Sequence, residues 1–137
     1  MAQPRIGQKV IVEVPSTTAN IGPGFDCLGA ALGLQNKFVM QRIEGNGERF
    51  ELIMEGNEGS HLRGGPDNLV YRAAQRVWKA AGLEPVALEA RVRLAVPPAR
   101  GLGSSATAIV AGLVGANALV GDPLSKEKLL ELAIDIE

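Results

Sequence analysis

The sequence predicts an α+β domain in which helices cover one face of a mixed or antiparallel sheet. Three observations support this prediction. Runs in which every second residue is apolar, typical of strands, dominate the first half of the chain. Segments with apolar residues at helical spacing are interspersed further along. Between residues 106 and 120 the chain carries no charge, which favours a buried, closely packed helix rich in small residues.

The alternating runs predict the strands in chain order. Residues 9–14 alternate with β-branched side chains and stop at Pro15. Residues 28–34 and 36–43 predict one long strand or two short ones, with Phe38, Met40 and Ile43 on or near one face. The turn formers Gly45-Asn46-Gly47 then predict a hairpin to a strand at 49–54, and residues 86–96 form the last alternating run.

The helical segments carry their own start and stop signals. Asp67 or Asn68 is a good N-cap for a helix to residue 81, which Gly82 ends. A second helix is predicted from 104 to 120, and Ser125 is the N-cap of a third. The predicted inward positions are Val70, Ala73, Ala74, Val77, Trp78 and Ala81 in the first helix, and Leu129, Leu132, Ala133 and Ile136 in the last.

Composition excludes several functional classes. The chain has 137 residues, 46% hydrophobic and 21% charged, as expected for one soluble globular domain. A net charge of -1 offers no field for nucleic acid or a membrane surface, so we expect neither as a partner. The single cysteine, Cys27, excludes an internal disulfide and fits the cytoplasm, and the first residues lack the apolar core of a secretory signal. His61, the only histidine, falls in a polar loop and is expected to be solvated.

A glycine-rich stretch at 97–107, P-P-A-R-G-L-G-S-S-A-T, stands between the last predicted strand and a helix. Gly101 and Gly103 let the backbone approach a ligand, and the unpaired amides of the following helix favour an anion there. Ser104 and Ser105 add hydroxyls that can cap the helix, bind a phosphate oxygen or help hold Mg²⁺.

Other glycine loops compete with this interpretation. A Walker A loop needs a lysine after the last glycine, and none follows Gly103. Gly101, Gly103 and Ala106 fit the dinucleotide fingerprint, but that fold needs a strand after the helix, and Asp122 leads into another helical pattern. A turn that merely joins strand to helix stays open on this stretch alone.

A second polar segment, S-T-T-A-N-I-G-P-G-F-D at 16–26, follows the first strand. Its residue types cannot continue a sheet and place Asn20 and Asp26 in a loop. Taken alone, these two side chains fit a turn-stabilising role as well as a binding role.

Together, the motifs at 14–32 and 97–107 resemble the GHMP kinases, named for their galactokinase, homoserine, mevalonate and phosphomevalonate members. The glycine loop is common to that superfamily. The first motif, with Asn20, Gly24, Phe25 and Asp26 in this spacing, is similar to homoserine kinases. The resemblance extends over essentially the whole chain, including D-N-L-V-Y at 67–71.

The resemblance implies a transferase that uses ATP and Mg²⁺ to phosphorylate the hydroxyl of L-homoserine, a step of threonine biosynthesis in the cytoplasm. It also implies a GHMP kinase N-terminal domain with a left-handed β-α-β crossover, where general rules favour the right-handed one.

Residue roles follow from the same resemblance. Asn20 and Asp26 would hold the amino acid, because a carboxylate suits an ammonium group and an amide suits a hydroxyl or carboxylate. Asn68 would lie near the adenine, and Ser104, Ser105 and Glu137 would help coordinate Mg²⁺. No catalytic base is assigned. The residues that would surround the nucleotide phosphates are Pro97, Pro98, Ala99, Arg100, Gly101, Leu102, Gly103, Ser104, Ser105, Ala106 and Thr107.

The last helical pattern reaches Glu137 without a terminator, and in homoserine kinases a further motif follows that glutamate. We therefore expect residues 1–137 to be a truncated N-terminal, ATP-binding domain, with little or no activity and a tendency to self-associate. The alternatives are a non-catalytic module that binds a nucleotide or a partner, and another small-molecule kinase of the superfamily.

Overall fold

A computed structural model describes residues 4–15, 35–55, 68–93 and 104–136 of the chain. In this part of the chain, four strands form one sheet that is accompanied by three helices. In chain order the elements are β1 (Lys9–Pro15), β2 (Gln35–Arg42), β3 (Phe50–Met54), α1 (Leu69–Ala80), β4 (Leu88–Arg93), α2 (Ser104–Leu119) and α3 (Lys126–Ile136).

The sheet is mixed, in the order β1-β2-β4-β3. β1 pairs with β2 and β2 with β4 in antiparallel fashion, whereas β3 and β4 are parallel. The predicted α+β class is therefore confirmed. β3, α1 and β4 form a β-α-β unit, because two parallel neighbours need a crossover connection; the left hand of this crossover stays a prediction.

The predicted hairpin between β2 and β3 is wrong, because β4 lies between these two strands. The backbone amide of Ile43 donates to Ala87 O over 3.1 Å, and the amide of Leu88 donates to Arg49 O over 3.1 Å. The residues that enter β4 thus hydrogen-bond to both arms of the Gly45-Asn46-Gly47 turn and hold them apart. Turn formers between two alternating runs predict a tight turn, but they do not exclude a later strand from inserting between its arms.

Each strand boundary shifts slightly from the sequence prediction. β1 includes Pro15, β2 covers Gln35–Arg42 rather than 36–43, β3 begins at Phe50 rather than at residue 49, and β4 begins at Leu88 rather than at residue 86. Residues 94–96 of the last predicted run lie outside the described residues. Val86 and Ala87 are buried but precede the strand. Residues 28–34 and His61, also interpreted from the sequence, lie outside the described residues.

One face of the sheet carries the core. Val12, Phe38, Met40 and Ala90 alternate with more exposed neighbours and are buried on the side that the helices cover. The opposite face is polar at most positions, although Ile11 is 58% exposed there. This one-sided pattern is typical of a sheet with antiparallel pairs and one solvated face.

The helix boundaries follow their predicted caps. Asn68 is the N-cap of α1, and Gly82, with φ of 76°, follows the C-cap Ala81 in a conformation that favours glycine. Ser125 caps α3 because its hydroxyl accepts a hydrogen bond from the amide of Lys128 over 3.1 Å. Leu132 is buried, so the predicted inward side of α3 is confirmed.

α2 is buried along most of its length, as its charge-free sequence predicts. No helix in the described segments is long and apolar enough to cross a bilayer.

Candidate functional site at one end of the sheet

The pairing of the strands brings the C-terminal ends of β1, β3 and β4 to the same end of the sheet, and the chain exits from the sheet at each of them. At that end Pro15 of β1 is opposite Gln35 of β2, and Lys37 of β2 is opposite Arg93 of β4. Met54 of β3 is opposite Val92 of β4. The segments 16–34, 56–67 and 94–103 therefore all depart from, or return to, one edge of the domain.

The distances between these exits are short. β1 and β4 are each paired with β2, so they lie two strand spacings apart, about 10 Å. The polar segment that contains Asn20 and Asp26 is attached at β1 and β2, and the glycine-rich stretch is attached at β4. Asn20, Asp26 and residues 97–103 themselves lie outside the described part of the chain.

α2 begins at Ser104, inside the glycine-rich stretch at 97–107 and directly after Gly103. Its first turn contains no acidic residue, so nothing there offsets the positive end of the helix dipole. The first backbone amides of a helix have no partner within it, and an anion is their natural ligand. The start of α2 therefore fits a phosphate group electrostatically.

Three residues at the start of α2 carry a hydroxyl group, namely Ser104, Ser105 and Thr107. Thr107 is 3% exposed, so it faces the interior of the domain. The side chains of Ser104, Ser105 and Ala106 are outside the described part, as is Glu137, which follows the last residue of α3.

Asn68 is half-buried at the start of α1, and its side chain has a structural task. Its Oδ1 accepts a hydrogen bond from the amide of Val70 over 2.8 Å, which caps the helix. Its backbone carbonyl accepts from the amide of Arg72 over 2.8 Å. Its Nδ2 has no hydrogen-bond partner among the described residues and is therefore the group that Asn68 can offer to a nucleotide.

α1 and α2 touch near the first turn of α1. Gly112 of α2 packs against the carbonyl group of Val70, two residues after Asn68. Gly112 is eight residues after Ser104, which places this contact about 12 Å along α2 from its start. The first turn of α1, which Asn68 caps, is thus held against α2 about two helical turns from the start of α2.

The described side chains do not build a metal site by themselves. No three His, Cys, Asp or Glu residues cluster in residues 4–15, 35–55, 68–93 and 104–136. Mg²⁺ at phosphoryl-transfer sites is held by one or two carboxylates together with phosphate oxygens, so it does not need such a cluster.

The dinucleotide alternative does not fit the fold. α2 is followed by α3, and Asp122, with φ of 59°, lies in the turn between these helices. The strand that would end in an acidic residue is therefore missing from residues 104–136, and the fingerprint match of Gly101, Gly103 and Ala106 does not mark that fold.

Sequence analysis missed two residues that organise this region. Gly112 allows the backbones of α1 and α2 to approach, and Asn117 ties the turn between α2 and α3. The small-residue composition of α2 indicated close packing but not the contacting element. The sequence could have indicated the role of Asn117, because an amide side chain within a charge-free, buried helix needs a hydrogen-bond partner.

Known proteins are similar to this chain in sequence and in fold. The family profile described as the GHMP kinases N terminal domain matches residues 68–137. A homoserine kinase of Synechococcus sp. (strain CC9605) is 89% identical over 137 residues, which is all of this chain and 44% of that protein. A homoserine kinase of Prochlorococcus marinus (strain MIT 9303) is 85% identical over 137 residues, again all of this chain and 43% of that protein.

A solved structure shares the fold. The crystal structure of homoserine kinase from Cytophaga hutchinsonii has a TM-score of 0.69 at 24% identity, covering 98% of this chain and 42% of that one. The chain thus spans less than half the length of the relatives that it matches.

Proposed function

This chain belongs to the GHMP kinase family, and from that premise we propose that it is the N-terminal, ATP-binding domain of an enzyme that phosphorylates the hydroxyl of L-homoserine. The observation that carries the proposal is the 89% and 85% identity to two homoserine kinases over all 137 residues. Such a reaction belongs to threonine biosynthesis, and the expected location is the cytoplasm.

The geometry supports a two-substrate site. Because the exits at Pro15 and Arg93 lie at one end of the sheet, the polar segment and the glycine-rich stretch are attached side by side. Asn20 and Asp26 would hold homoserine, with the carboxylate of Asp26 on its ammonium group. Residues 97–107 and the start of α2 would surround the phosphates of ATP, and Asn68 would contact the adenine side.

Phosphoryl transfer needs alignment and charge neutralisation more than covalent help from the protein. When bound, Mg²⁺ supplies part of that neutralisation, and Ser104, Ser105 and Glu137 are the residues that would hold it. The backbone amides at the start of α2 supply the rest as fixed dipoles. The task of Asn20 and Asp26 is to orient the homoserine hydroxyl towards the terminal phosphate.

Release of ADP by the full-length protein tests this proposal. We expect turnover that depends on both ATP and homoserine. Asp26→Asn should raise KM for homoserine about ten-fold or more, because it removes a charge-assisted hydrogen bond, and should leave KM for ATP unchanged.

The matched control is Asp122→Asn. It makes the same change in the turn that follows α2, at the far end of this helix from its start. Both KM values should stay as they are. Nucleotide binding without any response to homoserine would instead indicate a non-catalytic module, and an unchanged KM for homoserine in Asp26→Asn would contradict the assigned role.

Residues 1–137 alone are expected to show little or no turnover, because they span less than half the length of the relatives. The same ADP assay on the 137-residue chain tests this. Its self-association also stays a prediction, which light scattering at high concentration examines.

A further inference from the structure

Among the described glycines, Gly112 of α2 is the one at which an added Cβ atom would collide with another helix. A Cβ atom on Gly112 would lie less than 3.0 Å from the carbonyl oxygen of Val70 and 2.7 Å from the Cβ of Ala73. Val70 and Ala73 are both buried in α1. The backbones of α1 and α2 are therefore in direct contact here, and only glycine fits.

This contact lies next to Asn68. The amide of Val70 donates to Asn68 Oδ1 over 2.8 Å, while the carbonyl of the same residue faces Gly112. A carbonyl group inside a helix cannot turn away without breaking the helix, so any added atom at Gly112 must displace the first turn of α1. Asn68 would move with that turn.

We propose that Gly112 is a positioning residue for the nucleotide, a role that rests on the proposed function. By lacking a side chain, it sets how close Asn68 comes to the start of α2. The adenine side and the phosphate side of the nucleotide site are then held at one fixed separation by the crossing of two helices.

Gly115, one turn further along α2, provides a matched comparison. A Cβ atom there would also come within 3.0 Å of another atom, but this atom is the sulfur of Met40 on β2. Because Met40 ends in a flexible thioether, its side chain can adjust where the backbone of α1 cannot. Gly115 faces the sheet and does not touch α1 within the described contacts.

The experiment compares Gly112→Ala with Gly115→Ala in the full-length protein. For Gly112→Ala we expect KM for ATP to rise about ten-fold, because a displaced Asn68 loses its hydrogen bond to the nucleotide, whereas KM for homoserine stays within two-fold. For Gly115→Ala both KM values should stay within two-fold. Thermal unfolding of both variants measures how much each substitution perturbs packing. If Gly112 had only a structural role, both variants would lose stability and neither would change KM for ATP.

Ala73→Ser enlarges the other side of the same contact by one atom and is the milder second variant. Ala73→Ser should raise KM for ATP by a smaller factor, again without changing KM for homoserine. If Gly112→Ala does not fold, this variant alone tests the positioning role. A KM for ATP that is unchanged in these variants, or raised equally by Gly115→Ala, would overturn the inference. If the unaltered protein lacks turnover, the proposed function fails instead, and calorimetric titration with an ATP analogue still decides whether Gly112 positions a nucleotide.

Discussion

The side-chain amide of Asn117 forms two hydrogen bonds with the backbone of Leu124. Its Nδ2 donates to Leu124 O over 3.0 Å, and its Oδ1 accepts from the amide of Leu124 over 3.0 Å. The backbone carbonyl of Asn117 also accepts from the amide of Asp122 over 2.8 Å. One buried residue of α2 therefore holds the turn that leads into α3, and so fixes where α3 starts.

Asn117→Leu should lower the free energy of unfolding by about 2 kcal/mol, because it keeps the branched shape of the side chain but leaves two part-buried backbone groups of Leu124 without their partners. Urea unfolding of the full-length protein measures this change. The comparison variant is Ser125→Ala, which removes only the cap of α3 and should cost about 1 kcal/mol. Equal effects of the two substitutions would show that the bonds to Leu124 contribute little.

The helices could be predicted from the sequence because their signals are local. Asn68, Gly82 and Ser125 mark the start or end of a helix through hydrogen bonds or backbone angles within a few residues. The order of the strands could not be predicted in the same way. The insertion of β4 between β2 and β3 depends on pairing between residues far apart in sequence, which no turn residue encodes.

The candidate site also has features that local sequence signals predict and features that depend on long-range strand pairing. The glycine stretch and the polar segment with Asn20 and Asp26 could be recognised as motifs from the sequence. The family that they indicate is confirmed by a profile match over residues 68–137, which includes the glycine stretch but not the polar segment. That their attachment points share one end of the sheet follows from the pairing of Pro15 with Gln35 and of Lys37 with Arg93. The individual site residues stay predictions.

Tyr71 joins three parts of the fold. Its hydroxyl lies 2.7 Å from the carbonyl oxygen of Val86 and also contacts the carbonyl oxygen of Gly47, and its ring stacks on Phe50 with centroids 5.1 Å apart. Tyr71→Phe should lower the free energy of unfolding by about 1 to 2 kcal/mol, because the ring contact persists while the buried carbonyl of Val86 and the part-buried carbonyl of Gly47 lose the one hydroxyl that they contact. Urea unfolding beside Phe50→Leu, which removes the stacking partner and keeps the hydroxyl, separates the two contributions. An unchanged midpoint for Tyr71→Phe would contradict the role of the hydroxyl.

Stability should also depend on pH through Tyr71. Burial, assisted by the negative charge of Glu48, raises the pKa of Tyr71 from 10.0 to about 12. As the pH rises, the unfolded chain therefore loses the proton of Tyr71 before the folded chain does. The contribution of Tyr71 to the free energy of unfolding is complete below pH 10 and declines between pH 10 and 12 by about 1.4 kcal/mol per pH unit. Unfolding measured from pH 9 to 12 should show a slope that is shallower in Tyr71→Phe. Identical slopes in both proteins would mean that another group dominates.

Asn68 caps α1, and two substitutions can separate this structural role from its proposed role in binding the nucleotide. Asn68→Ala removes the cap of α1 and should cost about 1 kcal/mol of stability. Asn68→Asp keeps an oxygen for the amide of Val70 and adds a negative charge at the start of a helix, so stability should be preserved. It also replaces the amide donor by a carboxylate, and KM for ATP should therefore rise about ten-fold because the hydrogen-bond donor on the adenine side is lost. Ser125→Asp, the same kind of cap on α3, should leave KM for ATP unchanged. An Asn68→Asp variant with unaltered stability and unaltered KM would restrict Asn68 to its capping role.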